Sequence, residues 1–184
     1  MCGIVGCAGV RQASPVLLNG LKKLEYRGYD SAGMAVADEN GRITAVKAKG
    51  RLSNLVRLTN DGKSLSGFVG IGHTRWATHG EPNDVNSHPH LSKGDRFAVV
   101  HNGIIENYLE LKAFLTSKGY DFKSETDTEA IAHLLDYYYA GDILDCIRKT
   151  TNKLDGSYAL GVLFCETPDV FYACLLYTSP SPRD

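Results

Sequence analysis

Apolar positions along the first half of the chain come mostly in short runs. Residues 5–10 are compact and apolar, the pattern of a buried strand. Residues 15–26 place Val16, Leu17, Leu21 and Leu24 on one face. With Ser14 at the N-cap and Pro15 at the first helical position, this spacing predicts a helix. Residues 32–37 and 42–48 flank Asp38-Glu39-Asn40-Gly41 and read as a hairpin around a tight turn. A short helix follows over 52–58 and a strand over 68–74. Between 76 and 94 the chain is rich in Gly, Pro, His and Asn and loses periodicity, and 96–101 returns to strand.

The second half is more helical. Residues 106–118 are amphipathic and stop at Gly119, a helix-ending residue. A second helix is predicted over 127–139, with Ile131, Leu134 and Leu135 at helical spacing, and a third over 143–154, entered through Asp142. Residues 157–164 and 170–173 read as paired strands split by Glu166-Thr167-Pro168-Asp169. Strands in hairpin-like pairs and helices in separate groups predict an α+β protein, with antiparallel sheets and helices packed outside them. The last ten residues, LLYTSPSPRD at 175–184, support neither helix nor strand and are expected to be a non-native tail outside the fold, with a native flexible linker as the competing reading.

Composition narrows the function classes. With 184 residues, 43% of them hydrophobic, the chain can bury a sizeable core. Twenty Lys and Arg stand against 21 Asp and Glu, so no basic footprint points to nucleic acid or an anionic membrane. No apolar run reaches the roughly 18 residues of a membrane span, and the start has no signal-peptide pattern; the expected compartment is the cytoplasm. Cys2, Cys7, Cys146, Cys165 and Cys174 are odd in number and contain no CxxC pair, which argues against a disulfide framework or a zinc knuckle.

Several familiar chemistries are missing. Gly62-Lys63-Ser64 lacks the first glycine of a phosphate loop, since Arg57 stands there, and residues 67–72 do not have the dinucleotide glycine spacing. His88-Pro89-His90 reads as a loop rather than a metal site, and neither a metal nor a cofactor is expected. Cys2 stands out by position. Loss of Met1 would leave a cysteine bearing its own α-amine, whose ordinary pKa of about 7.7–8.0 suits a base toward the thiol. The competing reading is a structural cysteine at the start of a strand.

Five segments decide between these readings. MCGIVG at the start, RGYDSAG at 27–33, GHTRWATHG at 72–80, HNGIIEN at 101–107 and SETDTE at 124–129 resemble, in order and spacing, the glutaminase domain of class II glutamine amidotransferases. The longer stretch GHTRWATHGEPNDVNSHPH at 72–90 is similar to the branch of that class that aminates fructose 6-phosphate. The resemblance covers 1–174. It implies the N-terminal-nucleophile hydrolase fold, a four-layer sandwich of two antiparallel sheets between helix layers.

The resemblance also implies roles. Cys2 would be the nucleophile, and Asn102 and Gly103 the oxyanion hole, although Asn-Gly is also a strong turn dipeptide. Arg75 would grip the carboxylate of glutamine, against the reading of a surface ion pair. Asp127 would hold its ammonium while also serving as a helix N-cap. Trp76, Thr78 and His79 would belong to a loop closing over glutamine, with a core position as the alternative for Trp76. Arg27 would support the nucleophile pocket, and His101 and His133 would pack or hydrogen-bond.

The implied activity is hydrolysis of L-glutamine to glutamate and ammonia through a cysteine thioester, with no cofactor. In full-length members the ammonia passes to sugar-isomerase domains acting on fructose 6-phosphate, in a homodimer. Those domains are expected to be absent here, and the glutaminase domain at 1–174 is expected to be incomplete at its C-terminus. Two alternatives stand: an amidotransferase with another acceptor, such as phosphoribosyl pyrophosphate, or an inactive fragment.

Overall fold

The computed structural model describes residues 2–27, 30–76 and 81–176. Its elements run β1 (Gly3–Cys7), α1 (Ala13–Leu24), β2 (Ser31–Ala37), β3 (Ile43–Lys49), α2 (Leu52–Leu58), β4 (Val69–Arg75), β5 (His90–Leu91) and β6 (Phe97–Ile105). They continue with α3 (Tyr108–Ser117), α4 (Asp127–Tyr138), α5 (Ile143–Thr151), β7 (Gly156–Phe164) and β8 (Phe171–Leu176). The strands form two four-stranded sheets, β1-β4-β2-β3 and β5-β6-β7-β8, with every pairing antiparallel.

Three apolar clusters hold four layers together, and the two-residue period of a strand explains how. In β2, Ala32, Met34 and Val36 face α1 and α2, where Leu17, Leu21 and Leu55 meet them. Ala35 and Ala37 point the other way and, with Val69 and Ile71, pack on Ala98, Val100 and Leu163 of the second sheet. Phe97 and Val99 of β6 face outward onto Ile131 and Leu134 of α4 and Leu115 of α3. Strands buried on both faces therefore read as continuous apolar runs. Each fully buried aliphatic side chain contributes roughly 1.5–3 kcal/mol. The order is helices, sheet, sheet, helices.

The hairpin, α2 and the Asp142 cap stand where the sequence puts them; the Asp142 carboxylate accepts the N–H groups of Leu144 and Asp145. Other boundaries move. Helix α1 begins at Ala13 with Gln12 as N-cap, because the Ser14 hydroxyl donates instead to the Leu65 carbonyl at 3.0 Å. Helix α3 starts only at Tyr108, since the Glu106 N–H is spent on Asp155 and the Asn107 side chain on Lys153 and Asp155. Strand β8 runs on to Leu176, pairing Leu175 with Ala159 and Leu176 with Tyr158, so the expected tail at 175–184 has its first two residues inside the sheet. Strand β6 continues four residues past His101.

Candidate active site

That continuation of β6 builds half of the site. Asn102 and Gly103 form no turn; they pair with Ala159 and Tyr158 of β7. Gly103 has φ of +126°, and a Cβ there would collide with the Ser157 carbonyl oxygen. Only glycine fits the kink that leaves this stretch facing the first sheet.

The other half comes from β1 and β4. Gly3 pairs with Thr74, which sets Cys2 beside the exit of β4. The Cys2 sulphur accepts the Trp76 N–H at 3.2 Å, and its thiol faces the Trp76 carbonyl at 3.5 Å. Across the gap, the Asn102 amide nitrogen donates to the Cys2 carbonyl at 3.4 Å, while the amide oxygen lies 2.8 Å from His73 Nε2. One small cavity is lined by Cys2, His73, Arg75, Trp76, His88, His101, Asn102, Gly103, Thr126 and Asp127.

Asp127 is the first residue of α4, and Thr126, not Asp127, takes the N-cap position. Its Oδ2 accepts the Ile105 N–H at 3.0 Å, and Oδ1 accepts from the Thr128 hydroxyl at 3.4 Å and lies 3.6 Å from His101 Nδ1. Burial pushes this carboxyl up, but the donors from His101, Ile105 and Thr128 outweigh it and hold the group below its ordinary value. It is thus an anion, suited to a cation in the cavity. Arg75 is only 5% exposed, which removes the surface ion-pair reading. Trp76 is 47% exposed and is no core residue; it stands at the rim.

Behind these groups lies a cluster of buried imidazoles. His88 stacks on His73 with ring centroids 4.3 Å apart, and Thr128 Oγ1 sits between His101 Nδ1 and His88 Nε2 at 3.1 and 3.2 Å. His90 Nε2 meets Thr126 Oγ1 at 2.9 Å. Burial is the main force on all three shifted rings: it lowers His73 to about 4 and His90 to about 3, and drives His88 well below its ordinary value. These rings are neutral at pH 7. Both His88 nitrogens are taken up, by the His101 N–H and Thr128, and His90 Nε2 by Thr126; among the described residues no His, Cys, Asp and Glu group suited to a metal is found.

Of the residues singled out from sequence, Cys2, Arg75, Trp76, Asn102, Gly103 and Asp127 converge on this cavity. Thr78 and His79 lie outside the described residues, as does the Arg27 side chain. His101 does hydrogen-bond, as expected, but it also lines the cavity. His133 lies elsewhere, against Tyr120, Phe122 and Glu129. Sequence reasoning gave His73, His88 and Thr126 no part in the site. The GHT tripeptide at 72–74 holds a local signal, polar side chains inside a strand that is buried along its whole length.

Comparison with known proteins adds a family. A family model described as "Glutamine amidotransferase domain" matches residues 73–174. Glutamine–fructose-6-phosphate aminotransferase [isomerizing] of Caldanaerobacter subterraneus is 60% identical over 94% of this chain, and that of Clostridium perfringens is 58% identical over the same share. The chain spans only 28% of either relative. Among solved structures, glutamine phosphoribosylpyrophosphate amidotransferase from B. subtilis superposes with a TM-score of 0.76 at 29% identity, covering 90% of this chain and 35% of that one. The two facing antiparallel sheets between helices are the four-layer sandwich of the N-terminal-nucleophile hydrolases. Among the described residues no helix is long and apolar enough to cross a membrane.

Proposed function

The chain belongs to the glutamine amidotransferase family, and on that footing we propose that its cavity hydrolyses the side-chain amide of L-glutamine with Cys2 as nucleophile. The observation that carries this reading is the convergence of a thiol, an amide donor, a buried guanidinium and an ionised carboxylate on one small cavity, from positions as far apart as 2 and 127. Glutamine needs one partner for its carboxylate, one for its ammonium and one for the developing oxyanion. Arg75 supplies the first as a planar, bidentate donor. Asp127 supplies the second.

The chemistry follows from the atoms. With Met1 removed, the Cys2 α-amine takes the thiol proton, directly or through a water, and the sulphur attacks the carboxamide carbon. The Asn102 amide and the Gly103 N–H receive the oxyanion; such a donor is worth about 2.7–4 kcal/mol in the transition state. The ammonium formed at the N-terminus returns its proton to the departing nitrogen, and ammonia leaves. Water then cleaves the γ-glutamyl thioester, releasing glutamate and the thiol.

In a chain as long as the relatives, the ammonia passes to sugar-isomerase domains and fructose 6-phosphate, within a cytoplasmic homodimer. The 58–60% identity to enzymes named for that acceptor favours it over phosphoribosyl pyrophosphate, for which the solved B. subtilis amidotransferase at 29% identity is named. The glutaminase unit takes in residues 1–174, extended by the last two residues of β8. The test is glutamate release from glutamine, measured together with intact mass. Hydrolysis by protein lacking Met1, abolished in Cys2→Ala, is expected; folded protein lacking Met1 that releases no glutamate would overturn the reading.

A further inference from the structure

An asparagine amide serves an oxyanion only if its nitrogen, not its oxygen, faces the substrate. Something must therefore set which way Asn102 points. Its nitrogen faces the Cys2 carbonyl, which can only accept, and its oxygen faces His73 Nε2 at 2.8 Å. The amide oxygen can only accept as well, so Nε2 must carry the proton. The opposite tautomer would set two lone pairs against each other and leave a buried N–H at Nδ1, which has no hydrogen-bond partner among the described residues.

His73 is itself immobilised. It sits in β4 between Ile4 of β1 and Gly33 of β2, is 1% exposed, and has the His88 ring stacked on it. Gly33 leaves the space that the His88 carbonyl occupies, and a Cβ there would collide with it.

We propose that His73 is the positioning residue of the oxyanion hole: its Nε2–H holds the Asn102 oxygen and so turns the amide nitrogen toward the Cys2 side of the cavity. In this role the histidine acts through Asn102. The inference rests on the glutaminase reading and deepens it.

The test is a double-mutant cycle in glutamine hydrolysis. His73→Phe is expected to lower kcat by tenfold or more with KM nearly unchanged, short of the roughly 10²–10³-fold expected for Asn102→Ala. His73→Gln, whose amide nitrogen can take the place of Nε2, recovers most of the loss; His73→Asn, with the same chemistry and a shorter reach, does not. In an Asn102→Ala background His73→Phe costs nothing further. An equal cost in both backgrounds, or failure of Gln to outperform Asn, overturns the proposal. Nitrogen-15 shifts of the His73 ring in the unmutated protein give a readout independent of turnover: an Nε2–H tautomer is expected, and an Nδ1–H tautomer overturns it. Absence of hydrolysis in the unmutated protein would defeat the glutaminase reading instead, and the ring tautomer would still decide whether His73 holds Asn102.

Discussion

Asp127 Oδ2 accepts the backbone N–H of Ile105 at 3.0 Å, so the first residue of α4 is tied to the end of the strand that carries Asn102 and Gly103. The same carboxylate that faces the cavity therefore also fixes the frame of the oxyanion hole.

These two duties can be separated. Asp127→Asn keeps an oxygen for the Ile105 N–H but loses the charge, and it should raise KM for glutamine with little change in melting temperature. Asp127→Ala loses both and leaves a buried N–H without its acceptor, costing a further ~1–3 kcal/mol of stability. Steady-state kinetics beside thermal unfolding of both variants checks this; equal melting temperatures for the two would deny the structural duty.

Arg75→Lys keeps the charge and loses the fork. Because the guanidinium binds a carboxylate that is charged in ground and transition states alike, KM should rise by about tenfold or more while kcat falls less. A variant that loses kcat at unchanged KM would place Arg75 in the chemical step instead.

Gly103→Ala meets both a positive φ and the Ser157 carbonyl. Strain of about 1–3 kcal/mol is expected from the backbone alone, and turnover should fall as the N–H shifts. Denaturant unfolding and kcat measured together test it. An alanine variant equal to the parent in both would show that the kink is not needed.

The imidazole cluster makes stability fall in mild acid. His73 and His90 titrate near 6.5 when unfolded but near 4 and 3 when folded, so the unfolded chain binds protons first as pH drops. Their contribution is complete above about pH 6.5. Each ring then costs roughly 1.4 kcal/mol per pH unit, down to about pH 4 and pH 3 respectively. Glu129 adds a second window, from about 4.5 to about 2, because the donors from His133, Lys123 and Ser124 outweigh its burial. The melting temperature should be lower at pH 5 than at pH 7 at constant ionic strength. No change between them would mean the rings are not buried neutral.

Much of this was legible in the chain, for local reasons. The helix from Ile143 is capped within one turn by Asp142, and the hairpin of β2 and β3 closes around its own turn residues. What was not legible depended on partners distant in sequence. Ser14 looks like a cap until the Leu65 carbonyl, 51 residues away, claims its hydroxyl. Asn102-Gly103 looks like a turn until pairing with Ala159 and Tyr158 holds it in the sheet. Leu175 and Leu176 look like a tail until β7 supplies a neighbour. Within the site, motif resemblance was enough to single out Cys2, Arg75 and Asp127. His73 was passed over because its partner lies 29 residues further on, in another sheet.

The most direct measurement is the mass of the protein trapped by acid quench during glutamine turnover. The expected product carries one γ-glutamyl group, on the sulphur of a peptide that begins at Cys2 with no Met1 before it. An acyl group on any other residue, or full turnover by protein that retains Met1, would contradict catalysis by an N-terminal cysteine using its own amine.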